Sequence, residues 1–469
     1  MSDTYDVAVL GGGPGGYVAA IRAAQLGLKV ACIEAENLGG VCLNWGCIPT
    51  KAMIATGSLY KKMKNAAKFG IKVEGEVSVD FPALMARKDK IVSGLVKGIA
   101  DLFDLQGIDT YQGWGKLIGT DKLSVTKADG STVEIQARNT IIATGSQPLN
   151  IPVFPLDGQK IISSNDMVTL QEVPESLLII GMGVIGCEFA FLMSMLGCKV
   201  TMVEMLEHAL PLEDLDISKT IERELKKNKI KFHLGRKLES VDTGHPDGCL
   251  SKLDDGTEIV SQKVLVSIGR KFNSDNIGLE ELGIEKNRNG SIVTNAKMQT
   301  NIPNIYAIGD VAGKWLLAYT ASAEGTIAAA NCAGQDTRID YLGVPSAIFT
   351  APEVGSVGLR EQQAVDQGLN VKTGQFLFRV LGKAQAENEI EGMVKVVAEA
   401  GTDKLLGVHI VGAHATELIH ECALAVRRGL TVHDLGESFH AHPVLSEAIL
   451  EAAHDVHGLA VHNPPPNKK

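Results

Sequence analysis

The 469-residue chain, 45% hydrophobic and 21% charged, has an ordinary soluble globular composition and, at about 150 residues per domain, room for some three domains. A formal net charge of −10 excludes a general nucleic-acid binder, which needs a basic face, and otherwise implies only good solubility. No run of 18 apolar residues is present, so no membrane partner is expected; an apolar strand opens so soon after Met1 that the expectation is a leaderless protein working in the cytoplasm.

The first element is a strand over 5–10, followed by GGGPGG at 11–16, an Ala-rich helix over about 17–26 and a second strand over 29–34. In this pattern Gly11 permits a tight turn, Gly13 lets the backbone approach a pyrophosphate, and Gly16 lets helix pack on strand. The helix N-terminus offers free N–H groups to phosphate, and Glu34 accepts from a ribose hydroxyl.

Residues 39–51 read GGVCLNWGCIPTK and place Cys42 and Cys47 five positions apart at the opening of a helix. A helix N-terminus favours the thiolate, and two thiols this close can form a reversible disulfide. Structural packing and metal binding are the competing readings. Zinc sites use tighter Cys and His clusters, and neither a second pair nor a histidine is near, so no metal is expected. The other six cysteines, Cys32, Cys187, Cys198, Cys249, Cys332 and Cys422, stand singly among apolar or small neighbours and read as buried small hydrophobes.

A strand over 140–146 ends in the small turn Thr144, Gly145, Ser146. The dinucleotide pattern then recurs: a strand over 177–180, GMGVIG at 181–186, a helix to about 196, and a strand over 199–204 ending in Glu204. In both copies the glutamate stands 23 positions after the first glycine, so Gly181, Gly183 and Gly186 repeat the three roles. Two nucleotide sites make redox chemistry the leading reading of the cysteine pair, since a flavin exchanges electron pairs with both a nicotinamide and a disulfide.

Residues 304–310, NIYAIGD, form another strand, and a small-residue helix begins within 316–325. A Gly-Asp strand end beside a helix start suits a ribityl diphosphate; the alternative is Asp310 as an ordinary N-cap. Beyond Tyr341 the character changes. Strands over 376–378, 392–398 and 405–410 and helices over 416–427 and 444–453 predict a separate α+β unit. Within it, FHAHPVLSE at 439–447 sets His442 five positions before Glu447, a carboxylate able to orient an imidazole base, although a lone histidine is by default structural. The Pro-rich stretch 463–469 reads as an extended arm.

Together these segments, with ATGS at 143–146, GMGVIGCE at 181–188, SIGRKFN at 267–273, AIGD at 307–310 and FTAPEVGSVG at 349–358, resemble the flavoprotein disulfide reductase family along essentially the whole chain. The resemblance implies an α/β fold of two Rossmann-like dinucleotide-binding domains plus a C-terminal α+β dimerisation domain. Its divisions are FAD-binding over 1–150, NAD-binding over 151–277, a central part over 278–344 that completes the FAD site, and an interface part over 345–469. It implies that Cys47 faces the flavin and that Cys42 exchanges with substrate. His442, supported by Glu447, is then the proton acceptor and arrives from the other subunit of a homodimer. Lys51 would pair with Glu188 near flavin and nicotinamide. Further FAD contacts would come from Glu34, Gly115, Thr144, Gly145, Ser146, Asp310, Leu316, Leu317, Ala318 and Tyr319. The NAD site would use Gly181, Gly183, Gly186, Glu188, Glu204, Leu238 and Gly269.

Within the family, Glu204 is followed by Met205, Leu206 and Glu207, with no basic residue to grip a 2′-phosphate, which favours NAD. No cysteine pair stands near the C-terminus. The resemblance is thus to the branch that oxidises protein-bound dihydrolipoamide, with the lipoyl domains of 2-oxo acid dehydrogenase or glycine cleavage complexes as partners. The chain departs from the family's usual residues at Val41, Trp45, Tyr319 and Thr320.

Overall fold

The computed structural model describes residues 4–463. The arm expected over 463–469 lies, after Asn463, outside them. The strand Thr4–Leu10 is the centre of a seven-stranded sheet, parallel to Val30–Glu34 on one side and Thr132–Ile142 on the other. Asp109–Gln112 adds beyond Val30–Glu34, while Lys122–Thr126 and Trp114–Gly119 extend the far side as an antiparallel meander. The central strands are buried on both faces, which is why they read as continuous apolar runs instead of alternating. The helix Pro14–Gln25 starts three residues earlier than expected, because Pro14 has a fixed φ suited to the first helical turn.

Ile305–Ala307 pairs with Thr132–Ile142 in this same sheet, and the helix Ala318–Cys332 packs against Pro14–Gln25. Gly325 makes this approach possible: a Cβ there would stand 2.5 Å from the Gly15 carbonyl oxygen. Residues distant in sequence therefore complete the first unit.

The second unit is a five-stranded parallel sheet ordered Lys231–His233, Lys199–Val203, Ser176–Ile180, Lys263–Val266, Ile161–Ile162. A three-stranded antiparallel sheet, Leu238–Asp242, Cys249–Leu253 and Glu258–Ser261, lies beside it and escaped the sequence reading. Ser146–Pro148 and Arg270–Phe272 pair as a two-stranded link where the chain passes between units. The helix Val184–Met195 is buried along most of its length.

The C-terminal unit is a five-stranded antiparallel sheet covered by the helices Ala415–Arg428 and Glu447–Val456. Three of its strands were expected. Ser346–Ile348 and Glu353–Gly358 were not, because they are short and rich in small residues without strict alternation. No helix among the described residues is long and apolar enough to cross a membrane.

Candidate active site

The two glycine loops repeat in atomic detail. Glu34 accepts the Gly12 N–H at 2.6 Å, and Glu204 accepts the Met182 N–H at 2.7 Å, each across 22 residues. Gly11 and Gly181 have φ of +109° and +96°, and a Cβ at either would meet a neighbouring carbonyl oxygen, 2.3 Å from Ala143 and 2.5 Å from Ser267. Gly16 and Gly186 pack on the carbonyls of Gly11 and Gly181. The N-caps Gly13 and Gly183 supply no side-chain acceptor, and their surroundings are open. Bare helix N-termini of this kind fit pyrophosphate. Burial raises the Glu34 pKa, against the pull of the Glu36 and Gly12 N–H groups.

The thiols are arranged differently from expectation. Cys42 lies inside the short helix Gly40–Asn44; the chain breaks at Trp45 and Gly46, and Cys47 opens the helix Cys47–Lys64. Only Cys47 therefore sits at a long helix N-terminus. A hydrogen bond from Cys42, together with Lys51, lowers the Cys47 pKa to about 7 against the desolvating effect of the protein packed around it, although the residue itself stands exposed. The same hydrogen bond, then burial, raises that of Cys42. The two shifts run in opposite directions, so Cys47 is the more readily ionised of the two sulfurs. Alkylation of Cys47 in the reduced protein is expected to follow a single titration centred near pH 7 and to fall tenfold per unit below it, while Cys42 stays unreactive; residue-resolved mass spectrometry checks this. Of the other six cysteines five are buried as expected. Cys332 is only half-buried, because it ends its helix.

Lys51 bonds both oxygens of Glu188, at 2.9 and 2.8 Å, and lies over the Phe349 ring. Glu188 also accepts the Phe349 N–H at 3.0 Å. Three units of the fold meet in this pair, beside Cys47. Asp310 caps no long helix: it accepts the Ser146 hydroxyl and stands 3.8 Å from Arg270. Arg270 bonds Ser146 Oγ at 2.7 Å and its carbonyl at 2.8 Å. Burial lowers its pKa, and the charges of Asp310 and Cys47 oppose that. Arg270, half-buried, is not singled out by the sequence although it lies within SIGRKFN; an arginine directly after a glycine at a strand start was the available signal. Asn273 was missed too: it locks Thr144 through two hydrogen bonds, one from each side, and its N–H reaches the Gly145 carbonyl.

Glu324, fully buried, accepts the Gly309 N–H at 2.6 Å and the Tyr341 hydroxyl at 2.5 Å, which fixes the turn carrying Asp310. Leu317 is the N-cap of the helix bearing Ala318 and Tyr319; Leu316 and Tyr319 are exposed, and the Tyr319 hydroxyl donates to the Pro345 carbonyl. Two residues have packing roles. Gly115 leaves room for Leu10 and Ile33, and Leu238 is buried with Val203. Gly269 accepts the Leu149 N–H. The sequence near Glu204 holds no basic residue, but folding brings Arg236 up: its N–H donates to the Glu204 carbonyl, while its guanidinium pairs with Asp255 at 3.0 Å.

His442 is not brought to the cysteines within the chain. Its side chain is 77% exposed, and its polar partner is Glu447, Nδ1 to Oε1 at 2.9 Å. Burial pushes the Glu447 pKa up, but the bonds from His442 and the Val444 N–H prevail and lower it.

Residues 5–325 match the pyridine nucleotide-disulphide oxidoreductase family model, and residues 344–453 match its dimerisation domain. The chain is 42% identical to a dihydrolipoyl dehydrogenase of Chlamydia muridarum over 100% of both chains. It is 42% identical to one of Bacillus subtilis over 98% of this chain and 100% of that one. A leghemoglobin reductase of Glycine max is 41% identical over 96% of this chain and 87% of its own. Among solved structures, LpdA of Mycobacterium tuberculosis superposes with a TM-score of 0.89 at 29% identity, covering 96% and 98% of the two chains. With its two glycine loops, its thiol pair and its C-terminal dimerisation domain, the chain belongs to the pyridine nucleotide-disulphide oxidoreductase family, whose members use FAD and NAD.

Proposed function

We propose that this protein is a dihydrolipoyl dehydrogenase, oxidising dihydrolipoyl groups carried on the lipoyl domains of 2-oxo acid dehydrogenase or glycine cleavage complexes and reducing NAD. The observation that carries the reading is the placement of the thiol pair: Cys42 inside one short helix and Cys47 opening the next, on the same helix as Lys51, between two nucleotide loops. Full-length relatives of that name support the substrate. Bacterial relatives of the same length support the cytoplasm as its place of work.

FAD fits the first loop, with Glu34 toward its ribose and Ser146, Asp310 and the 316–319 segment along its length. NAD fits the second, with Glu204, Glu188 and Gly269. The boundaries 1–150, 151–277, 278–344 and 345–469 follow this division. FAD so held supplies two-electron transfer between the thiol pair and NAD.

In the oxidised protein a substrate thiolate attacks the Cys42 sulfur and breaks the Cys42/Cys47 disulfide, leaving Cys47 as thiolate. The second substrate sulfur attacks the first, forms lipoamide and releases Cys42. One electron pair leaves the substrate and ends on NAD. His442 of the partner subunit takes the substrate proton at Nε2, because Glu447 holds Nδ1. Lys51 holds the negative charge left on Cys47.

Paired assays test the reading: dihydrolipoamide with NAD, and glutathione disulfide with NADPH. Turnover confined to the first supports it; turnover confined to the second overturns both the substrate and the Glu204 argument. Gly186→Ala would set a Cβ 2.0 Å from the Gly181 carbonyl oxygen. NAD affinity is expected to fall at least tenfold, about 1.4 kcal/mol, with flavin retained; a nucleotide titration and the visible spectrum check both.

A further inference from the structure

Glu213 lies outside the machinery above. It follows the second nucleotide unit's Glu204 loop and is buried, and among the described residues no cation pairs with its oxygens. Its carboxylate instead takes two hydroxyls of the C-terminal sheet, Ser346 at 3.1 Å on Oε1 and Ser356 at 2.5 Å on Oε2. Ser346 and Ser356 are directly opposite each other on paired strands. One carboxylate thus grips a cross-strand pair from outside the sheet.

The gripped strand, Ser346–Ile348, leads straight to Phe349, whose N–H donates to Glu188 and whose ring lies under the Lys51 ammonium at 4.5 Å. Three extended residues span about 10 Å, so the two acids hold opposite ends of one short segment. Both acids also belong to the second nucleotide unit. Glu188 lies in the helix that starts at Val184, immediately after the glycine loop. The Leu210 N–H ties the Glu213 loop back to the Met182 carbonyl in that loop, at 2.9 Å.

The loop is anchored from the other side as well. The Arg360 guanidinium donates to the Pro211 and Glu213 carbonyls at 3.2 and 3.3 Å. Next in the chain, Asp214 bonds Lys395 at 2.9 Å, and Lys395, 1% exposed, also meets Asp216 and Glu361. A buried carboxylate held only by hydroxyls adds little net stability, since its desolvation offsets the bonds. What it does supply is orientation.

We propose that Glu213 is a positioning residue for the redox centre: it seats the strand Ser346–Ile348 so that the Phe349 N–H holds Glu188, and through it Lys51, beside Cys47. The proposal rests on the reading of Cys47 as the working thiolate.

The test uses the flavin-loaded, reduced protein and follows Cys47 alkylation by iodoacetamide against pH, residue-resolved by mass spectrometry. Glu213→Ala frees the strand, loosens Lys51 and is expected to raise the midpoint by about one pH unit, the scale set by a nearby opposite charge. Glu213→Gln retains an acceptor for Ser346 and is expected to restore most of the shift. Ser346→Ala, which leaves the acid in place, is expected to move the midpoint in the same direction by less, and it carries the test if Glu213→Ala does not fold. A midpoint unmoved in both Glu213→Ala and Ser346→Ala overturns the proposal, because a merely structural role would lower thermal stability without touching the titration. A wild-type protein whose Cys47 shows no titration near pH 7 sinks the reading of the thiol pair, and the proposal with it.

Discussion

Replacing Cys42 with serine is expected to lower dihydrolipoamide-dependent NAD reduction by on the order of 10⁴-fold or more, the scale seen when a catalytic nucleophile is removed. Serine fills the same space inside the helix Gly40–Asn44, so the fold and the nucleotide loops survive. It cannot form the bond on which exchange depends, since a hydroxyl neither makes nor accepts a disulfide. Flavin content should therefore stay at the wild-type level, and NADH oxidation by an artificial quinone, which needs no thiol pair, should persist. Turnover within tenfold of wild type in a steady-state assay would rule out Cys42 as the exchange thiol.

His442→Gln is expected to cost about 10²- to 10⁴-fold in the same assay, the range for loss of a positioned general base, equivalent to some 3–5 kcal/mol of barrier. His442 stands exposed, with Glu447 as its polar partner in its own chain, and the proposed function takes this base from the partner subunit. Mixing makes this decisive. A dimer of one Cys42→Ser chain and one His442→Gln chain contains one intact site if the histidine serves the partner's thiols. It contains none if the histidine serves its own. Two inactive homodimers should thus regain activity on subunit exchange, and persistent silence after verified exchange would place the base within the chain.

Much of the site was legible because its contacts are local. Glu34 reaches Gly12 and Glu204 reaches Met182 across 22 residues, within one strand–helix–strand unit whose geometry the glycines dictate. The thiol pair was legible for the same reason, except for the break at Trp45 and Gly46. At that break Trp45 packs against the second unit's core, a contact with no sequence signature. The C-terminal strands with apolar residues were found, and the two short ones rich in glycine, serine and small residues were not.

The sequence by itself determined the two glycine turns, their acids, the cysteine pair and a final unit of different character. All of these follow from backbone conformations and spacings within some two dozen residues. Only the tertiary structure decided how they work together. Arg270 reaches Ser146 across 124 residues, Lys51 reaches Glu188 across 137, and Glu213 reaches Ser356 across 143. These pairings depend on how three units of the fold pack together. A buried ion pair or hydrogen bond forms only where packing removes water and brings complementary groups to within about 3 Å. Neither periodicity nor motif spacing encodes that distance. The outward face of His442 has the same origin, because exposure is decided by how the C-terminal unit packs and not by its local sequence.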